Sequence, residues 1–572
     1  MSDETNPAPP PVDRILRVLG SPGFLCATLV LAAALRVWHV LSMRQLPLFD
    51  QLILDSEFYD AWARRLSAGD WLDGNRPYFF DPLYPYFLAG LYRVLGRDLL
   101  LARLVNVGLG VATVGVLAVI GRRVGGAVLG NLAALLYALY RPAIFEEAEI
   151  EKTALGVFLL TCALAFALHR STRARFASGV LLGLGALARG NAVLLIPIGA
   201  VYFLLCETGI RQRTRSAGAF LAGALLAFSP AVWRNHHVSG EWILTTSGAG
   251  PNLYLGNNPW NPTGAYQYLP WIRPESAHEE EDWRAETRRR VGRDLGPREL
   301  STYWLRETFD YARANPSQVA RVTASKVGLL VANAELPDGW GVNFISRFSP
   351  ALRLPLVTMA VLFPLSVVGT VVGFSNRKVR FVAGATLCYG ATLVAFYVFA
   401  RFRIYYAAPC AVLAATAIQW GIAAPARPLL AAVAGAALLA VASVAVGPWV
   451  GVTADQDQSQ QFANLSAVYI DSGDLPSARK LLVSALAEGR TAAVLCAMGQ
   501  VTMRSGQVGE SLGYFKECVD ASPGYPNGWY WYGRALELAG NRIQAAAAYM
   551  RQLEFVPGHR EASERLQVLM QH

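Results

Sequence analysis

The chain has 572 residues, 53% of them hydrophobic and only 16% charged. A soluble enzyme carries about 25% charged residues, so most soluble readings are excluded, along with bulk disorder and a small disulfide-built scaffold. The net charge of +10 does not point to nucleic acid. From Asp455 onward the net is −2, and the +12 of the remainder falls in short Lys/Arg clusters between apolar runs, the pattern of cytoplasmic membrane loops.

Residues 1–22 are read as a cytoplasmic tail; their start, MSDETNPAPPPVD, is polar, acidic and Pro-rich, unlike a signal peptide. A span needs about 20 mostly apolar residues. On that measure about eleven are predicted, at 23–43, 100–120, 127–145, 153–169, 176–188, 191–208, 217–234, 351–374, 379–400, 403–420 and 428–450. With the N-terminus inside, the basic clusters Arg122-Arg123, HRSTRAR ending at Arg175, RQRTR ending at Arg215 and Asn376–Arg380 all fall on the cytoplasmic side. A span at 317–334 would break that parity, so this stretch is read as an interfacial or re-entrant helix. Two large outer loops result, 44–99 and 235–350. The first holds SEFYDAWARRLSAG, with Phe58, Trp62 and Leu66 on one face and Gly69 as a stop, predicting a surface helix, then a second helix near 83–95. Arg- and Glu-rich helices are expected around 279–314.

Residues 455–572 form a separate region. Gly473, Gly506 and Gly540 recur at 33 and 34 residues, Gly499 and Gly533 at 34, and Pro523 and Pro557 at 34. Small residues (Ala478, Ser511, Ala545) follow each turn glycine by five positions. This is the tetratricopeptide pattern, an α-helical solenoid of helix–turn–helix units. Of the seven cysteines, five sit in apolar runs; Cys496 and Cys518 lie in this tail, and spacing alone does not decide whether they pair.

Charged groups near a bilayer are costly and mark function. Asp55 precedes the first surface helix, with Glu57 and Tyr59 after it; its roles are general base or helix N-cap. Glu149, Glu151 and Lys152, in EEAEIEKT, lie on the same outer face. Carboxylates from two outer loops suit an acceptor or a divalent cation; otherwise they are a solvated loop. Asp81 lies among Tyr78, Phe79, Phe80, Tyr84 and Tyr86, an interfacial belt or a sugar platform. Arg189 in LARGN and Arg401 and Arg403 in ARFRIYY sit at outer junctions, against the positive-inside trend, where Arg forks fit phosphate or serve as snorkelling anchors. Asn257, in NLYLGNNPWNPTGAY, belongs to an ordered outer loop, and Glu335 also faces outward. His236 and His237 have no further metal-type partner nearby in sequence.

Asp55, Pro82-Leu83-Tyr84 and Arg103 resemble the signature of polyprenyl-phosphate-sugar-dependent glycosyltransferases of the GT-C fold. More narrowly, they resemble bacterial members of the protein mannosyltransferase and aminoarabinose transferase superfamily. The likeness covers roughly 24–450 and is strongest over 55–110. It implies an all-α polytopic membrane domain over 23–450, in the bacterial inner membrane, with the site and the repeats on the periplasmic side. It also implies an inverting transfer of a sugar from a polyprenyl-phosphate donor to a hydroxyl of a periplasmic protein or glycolipid. Asp55 would be the base and Arg189, with Lys152, Arg401 and Arg403, would face the phosphate. Ser56 between Asp55 and Glu57, and Asp81-Pro82 where relatives carry Glu-Lys before Pro-Pro, depart from the family pattern and leave metal and donor sugar open. The alternatives are a lipid-linked oligosaccharide ligase or polymerase, and a non-catalytic scaffold displaying the repeats to a partner protein.

Overall fold

The computed structural model describes residues 11–206, 209–267, 269–273, 275–337, 339–424, 426–450, 458–556 and 558–571. The start of the N-terminal tail, residues 455–457 and Pro557 of the repeat pattern lie outside them. Among the described residues the chain is helical throughout, with isolated bridges only at Tyr140–Val357 and Ala265–Val398. It forms two compact units. One is 1–43 with 52–454; the other is 455–572 with the short stretch 44–51.

In the first unit four helices are long and apolar enough to cross a membrane: Pro22–Met43, Leu99–Gly125, Ile210–Ser239 and Ala426–Trp449. The expected spans 379–400 and 403–420 coincide with helices of 19 and 24 residues, Arg377–Ala395 and Ala400–Ala423, and the rest with shorter helices or with pairs. The stretch 127–145 is two helices, Ala127–Ala138 and Arg141–Glu146. Between them the chain is extended at Tyr140, and Arg141 N–H bonds Val357 O at 2.9 Å. The stretch 317–334 forms one helix, Pro316–Val331, too short to rank with the four.

Polar pairs fix the packing from inside. Arg36, on the first long helix, meets Glu147 through Nε and Nη2, each at 2.8 Å, with both side chains fully buried. The Tyr137 hydroxyl donates to the other oxygen of Glu147 at 2.7 Å. Removing one partner of such a pair leaves a buried charge and costs about 3–5 kcal/mol. Glu147 therefore ties helices together rather than lying in a solvated loop.

The two ends of this unit differ. At one end Asn376 Nδ2 donates to Val124 O at 2.9 Å, Lys378 bonds Arg123 O, and Arg123 bonds Ala165 O. Two of the basic clusters meet there. Helices Thr153–Ala167 and Arg377–Ala395 start or end at these contacts. Their opposite ends reach Lys152 and Leu393, which line the pocket described below.

The first outer loop holds the expected helices, Leu54–Ser67 and Leu83–Leu95. Trp62 and Leu66 are buried as the pattern requires. The loop between them is clamped by the end of Ile210–Ser239. Asn235 Oδ1 accepts from Tyr78 N at 3.0 Å, and Arg234 donates to the carbonyls of Leu72 (2.8 Å) and Asp73 (2.6 Å).

The second unit has helices Ser459–Asp471, Leu475–Glu488, Ala492–Arg504, Val508–Ala521, Gly528–Leu538, Arg542–Phe555 and Arg560–Met570, each packed on the next. Gly473, Gly506 and Gly540 end helices at φ +82, +80 and +81, a left-handed conformation that favours glycine. Ala478, Ser511 and Ala545 are fully buried. A Cβ at Gly499 or Gly533 would sit 2.7 Å from the ring of Phe515 or Tyr549. The sequence period thus reports one packing geometry used twice. Cys496 and Cys518 are joined in a disulfide that links neighbouring helices.

Candidate active site

A cavity of about 260 Å³ gathers residues from widely separated parts of the first unit. Asp55 and Tyr59 come from the first outer-loop helix, Asp81 from the start of the second, Lys152 and Arg189 from membrane-helix ends, and Arg401 from the late helix Ala400–Ala423. All six are residues that the sequence singles out.

Asp55 is not a helix cap. The N-cap is Ile53, with no side-chain cap bond, and Asp55 lies inside the first turn. Its carboxylate is taken up elsewhere: Oδ1 accepts from the Ser276 hydroxyl and Oδ2 meets Arg401 Nη2 at 2.7 Å. Leu54 just before it has φ +53, a conformation costly for a side-chain-bearing residue. Burial pushes the Asp55 carboxyl up, but Arg401, the Ser276 hydroxyl and Lys152 outweigh it and hold Asp55 below the usual carboxylate value. It is therefore ionised at neutral pH. Burial, then the negative charge of Asp55, raises Tyr59 well above the usual phenol range and keeps it neutral.

Arg401 also meets Glu151 Oε2 at 2.9 Å, so it bridges two carboxylates. Lys152 Nζ lies 2.5 Å from Asp81 Oδ2, and Asp81 Oδ1 faces Gly190 beside Arg189. Arg189 differs from the other cations. Its guanidinium lies over the Phe402 ring, 3.1 Å from the centroid, and its buried Nε has no hydrogen-bond partner among the described residues. No salt bridge neutralises it there.

Not every candidate reaches this cavity. Glu57 is exposed and points away. Glu149 lines a small neighbouring cleft with Asp55, Glu151 and Arg401, and burial raises its carboxyl. Asn257 is consumed in scaffolding: its Oδ1 accepts from Lys326 Nζ at 2.8 Å and its Nδ2 donates to Ala395 O at 2.9 Å. Arg403 and Glu335 pair with each other at 2.6 Å, both buried, and Arg403 also bonds the carbonyls of Leu329 and Ala332. His236 stacks on Trp242 and His237 on Trp233.

Three lining residues carry no sequence signal. Ser276 holds Asp55. Glu279, in the first turn of helix Glu279–Val291, is pushed up to about 7 by burial and by the charge of Asp55. Arg273 reaches the cavity but is saturated by Asp282 at 2.6 and 2.9 Å. Two carboxyl groups thus face one space, one held low and one raised. Among the described residues no group of three or more His, Cys, Asp or Glu is placed to hold a metal ion.

A second cavity, also about 260 Å³, is almost wholly apolar. It runs between the helices that carry Leu164, Leu195, Phe381 and Tyr405. Tyr389 lines it and lies within electrostatic reach of Arg189.

Residues 75–233, which span the loop between the two outer helices and everything up to its Arg234 clamp, match the model of a family described as dolichyl-phosphate-mannose-protein mannosyltransferase. The chain is thus a multi-pass membrane protein that carries, over this stretch, the sequence pattern of a membrane glycosyltransferase family. No curated protein matches it. Among solved structures it is similar to the Archaeoglobus fulgidus oligosaccharyltransferase in complex with an inhibitory peptide and a dolichol-phosphate. That match has a TM-score of 0.39 and 15% identity, and covers 77% of this chain and 57% of that one. The apo form gives 0.39 and 16% over the same shares, and the complex with Zn and sulfate gives 0.40 and 15% over 76% and 55%. This chain spans a little over half the length of those proteins, and at such scores the site rests on its own residues.

Proposed function

We propose that this chain is a GT-C-type membrane glycosyltransferase. It moves a sugar from a polyprenyl-phosphate donor to an acceptor hydroxyl at the outer face of the bilayer. The observation that carries this reading is three environments: an apolar cavity whose Tyr389 is within electrostatic reach of Arg189, an Arg189 with no salt-bridge partner among the described residues, and an ionised Asp55 in the same cavity as Arg189. They suit, in that order, a lipid chain, a phosphate and a reacting hydroxyl.

Asp55 Oδ accepts the acceptor's proton as the hydroxyl oxygen attacks the anomeric carbon from the face opposite the phosphate. The anomeric C–O bond breaks, the electron pair leaves on the phosphate oxygen, and the configuration inverts. Arg189, with Lys152 behind it, stabilises the growing charge in a site shielded from water. A phosphate leaves readily, so the reaction needs little help on that side. Arg401 keeps Asp55 aimed. It also lowers its basicity, a cost offset if Arg401 shifts toward Glu151 when the acceptor enters.

The basic clusters at the opposite helix ends support the outer orientation. The Cys496–Cys518 bridge in the repeat unit agrees with it, since disulfides persist in oxidising compartments. On this reading the tetratricopeptide-like tail is periplasmic and recruits an acceptor or partner. The test is Asp55→Asn in full-length protein supplied with lipid-linked sugars extracted from the source membrane. Transfer should be abolished while the protein still folds, with a melting temperature lowered by loss of the Arg401 pair. Transfer near the wild-type rate would remove Asp55 as the base.

A further inference from the structure

Beside the candidate active site, on the outer loop, lies a third cavity of about 430 Å³ that the mechanism does not use. Phe79 and Phe80 are the wall between the two, lining both. The start of helix Glu279–Val291 is shared in the same way, with Glu279 on the active-site side and Glu280 on this one.

Its chemistry is specific. Phe58, Trp62 and Tyr78 form one side, with ring centroids 5.6 Å apart for the first pair and 6.0 Å for the second. Trp62 is 3% exposed, and its Nε1 is buried with no hydrogen-bond partner among the described residues, an indole donor left unmatched in the protein alone. Facing the rings are carboxylate–guanidinium pairs: Arg65–Asp73 at 3.1 Å and Arg76–Glu280 at 3.7 Å. The second pair is loose enough for a ligand oxygen to enter. Lining cations (Arg65, Arg76, Arg234) and anions (Asp70, Asp73, Glu280) balance.

That balance disfavours a highly charged polymer. Arg234 already lies over Tyr78, 4.0 Å from its centroid, so the partly exposed rings of Phe58 and Phe80 take the C–H face of a pyranose, while carboxylates and guanidinium groups take its vicinal hydroxyls. The volume lies in the usual ligand-pocket range of about 300–1,000 Å³. We propose that this cavity is an acceptor subsite for a neutral saccharide, so that the acceptor already carries sugar when it presents its hydroxyl to Asp55. The proposal rests on the transferase reading above.

The test is ligand-observed NMR saturation transfer on the full-length protein in detergent. The probes are maltose, cellobiose and diacetylchitobiose, with a Ser/Thr-rich peptide as competitor class. Arg76 and Glu280 are the variants of choice, because their side chains are 55% and 28% exposed and alanine there leaves the fold intact, as a melting curve checks. At least one disaccharide should bind wild type, bind Asp55→Asn equally well, and bind Arg76→Ala and Glu280→Ala about 10-fold more weakly, the loss expected for a hydrogen bond to a charged group. Binding of no disaccharide, equal binding to all variants, or variant-sensitive binding of the peptide alone would each overturn the saccharide subsite. Retained transfer in Asp55→Asn with this binding pattern intact would sink the transferase mechanism and leave the subsite standing.

Discussion

Arg189 and Glu279 are the two residues whose state most sharply separates a working site from a merely buried one. Arg189 has no salt-bridge partner among the described residues and lies over the Phe402 ring. Arg189→Ala should weaken donor binding by at least tenfold, measured by titration of lipid-linked sugar. Arg189→Lys should recover only part of it, because an ammonium cannot make the two-point contact with phosphate. Glu279 makes a pH prediction. Its folded value near 7 lies above its usual 4.5, so the folded state holds the proton more tightly across that window, and stability falls as pH rises through it. Glu279→Gln should match wild type in melting at pH 4 and exceed it at pH 8 by about 1–3 kcal/mol, from about 1.4 kcal/mol per unit. Asp55 has the opposite sign: its contribution is present above its unfolded value and is lost as pH falls through the lower folded one. Asp55, Asp81, Lys152, Arg189 and Arg401 were legible in sequence because each is a charge set against an apolar run. Ser276 and Glu279 were not. They arrive from more than 200 residues away, out of a stretch so rich in Glu and Arg that one more carboxylate is unremarked. Arg403 and Glu335 look like Arg401 in sequence, and only the fold reveals that they satisfy each other.

At the scale of elements, periodic patterns were legible and breaks were not. The surface helices at 54–67 and 83–95 follow from face and stop residues, and the repeat helices follow from a 33–34 residue period. The division of 127–145 into two helices carries no sequence mark, because its apolar run continues through the extended turn at Tyr140 and the pairing with Val357 is more than 200 residues distant. The clamp of Arg234 and Asn235 is hidden for the same reason, since carbonyl acceptors carry no sequence mark. The repeat glycines can be tested as a pair. Gly533→Ala places a methyl 2.7 Å from the Tyr549 ring and should destabilise the tail by about 1–3 kcal/mol. Gly513, inside helix Val508–Ala521, has nothing within 4 Å of its would-be Cβ, so Gly513→Ala should stabilise it by about 0.5–1 kcal/mol. Melting of the full-length protein followed by tail-specific proteolysis distinguishes them. Equal effects would mean that the contact with Tyr549 does not set what Gly533 tolerates.

For the molecule as a whole, the sequence reading treats 44–99 as one loop and 455–572 as a separate tail. The structure divides them differently: Arg44–Gln51 belongs with the repeats, and its short helix Pro47–Phe49 packs on Ser459–Asp471. Leu48 and Phe49 are 5% and 3% exposed, and fully burying such side chains is worth about 1.5–3 kcal/mol each. Four residues beyond Gln51 stands Asp55. The stretch that precedes the Asp55 helix in sequence therefore belongs to the repeat unit. A chain truncated after Val450 should keep its membrane helices, because they make their own core, but the stretch 44–51 loses the surface it packs on. Trypsin should then cut after Arg44 at least tenfold faster than in the full-length protein, since cleavage follows the population of the locally opened state. Phe49→Ala in the intact chain should produce part of the same increase. Unchanged cleavage at Arg44 in the truncated chain would show that the stretch is held by the membrane unit instead, and that the tail can be removed without touching the approach to Asp55.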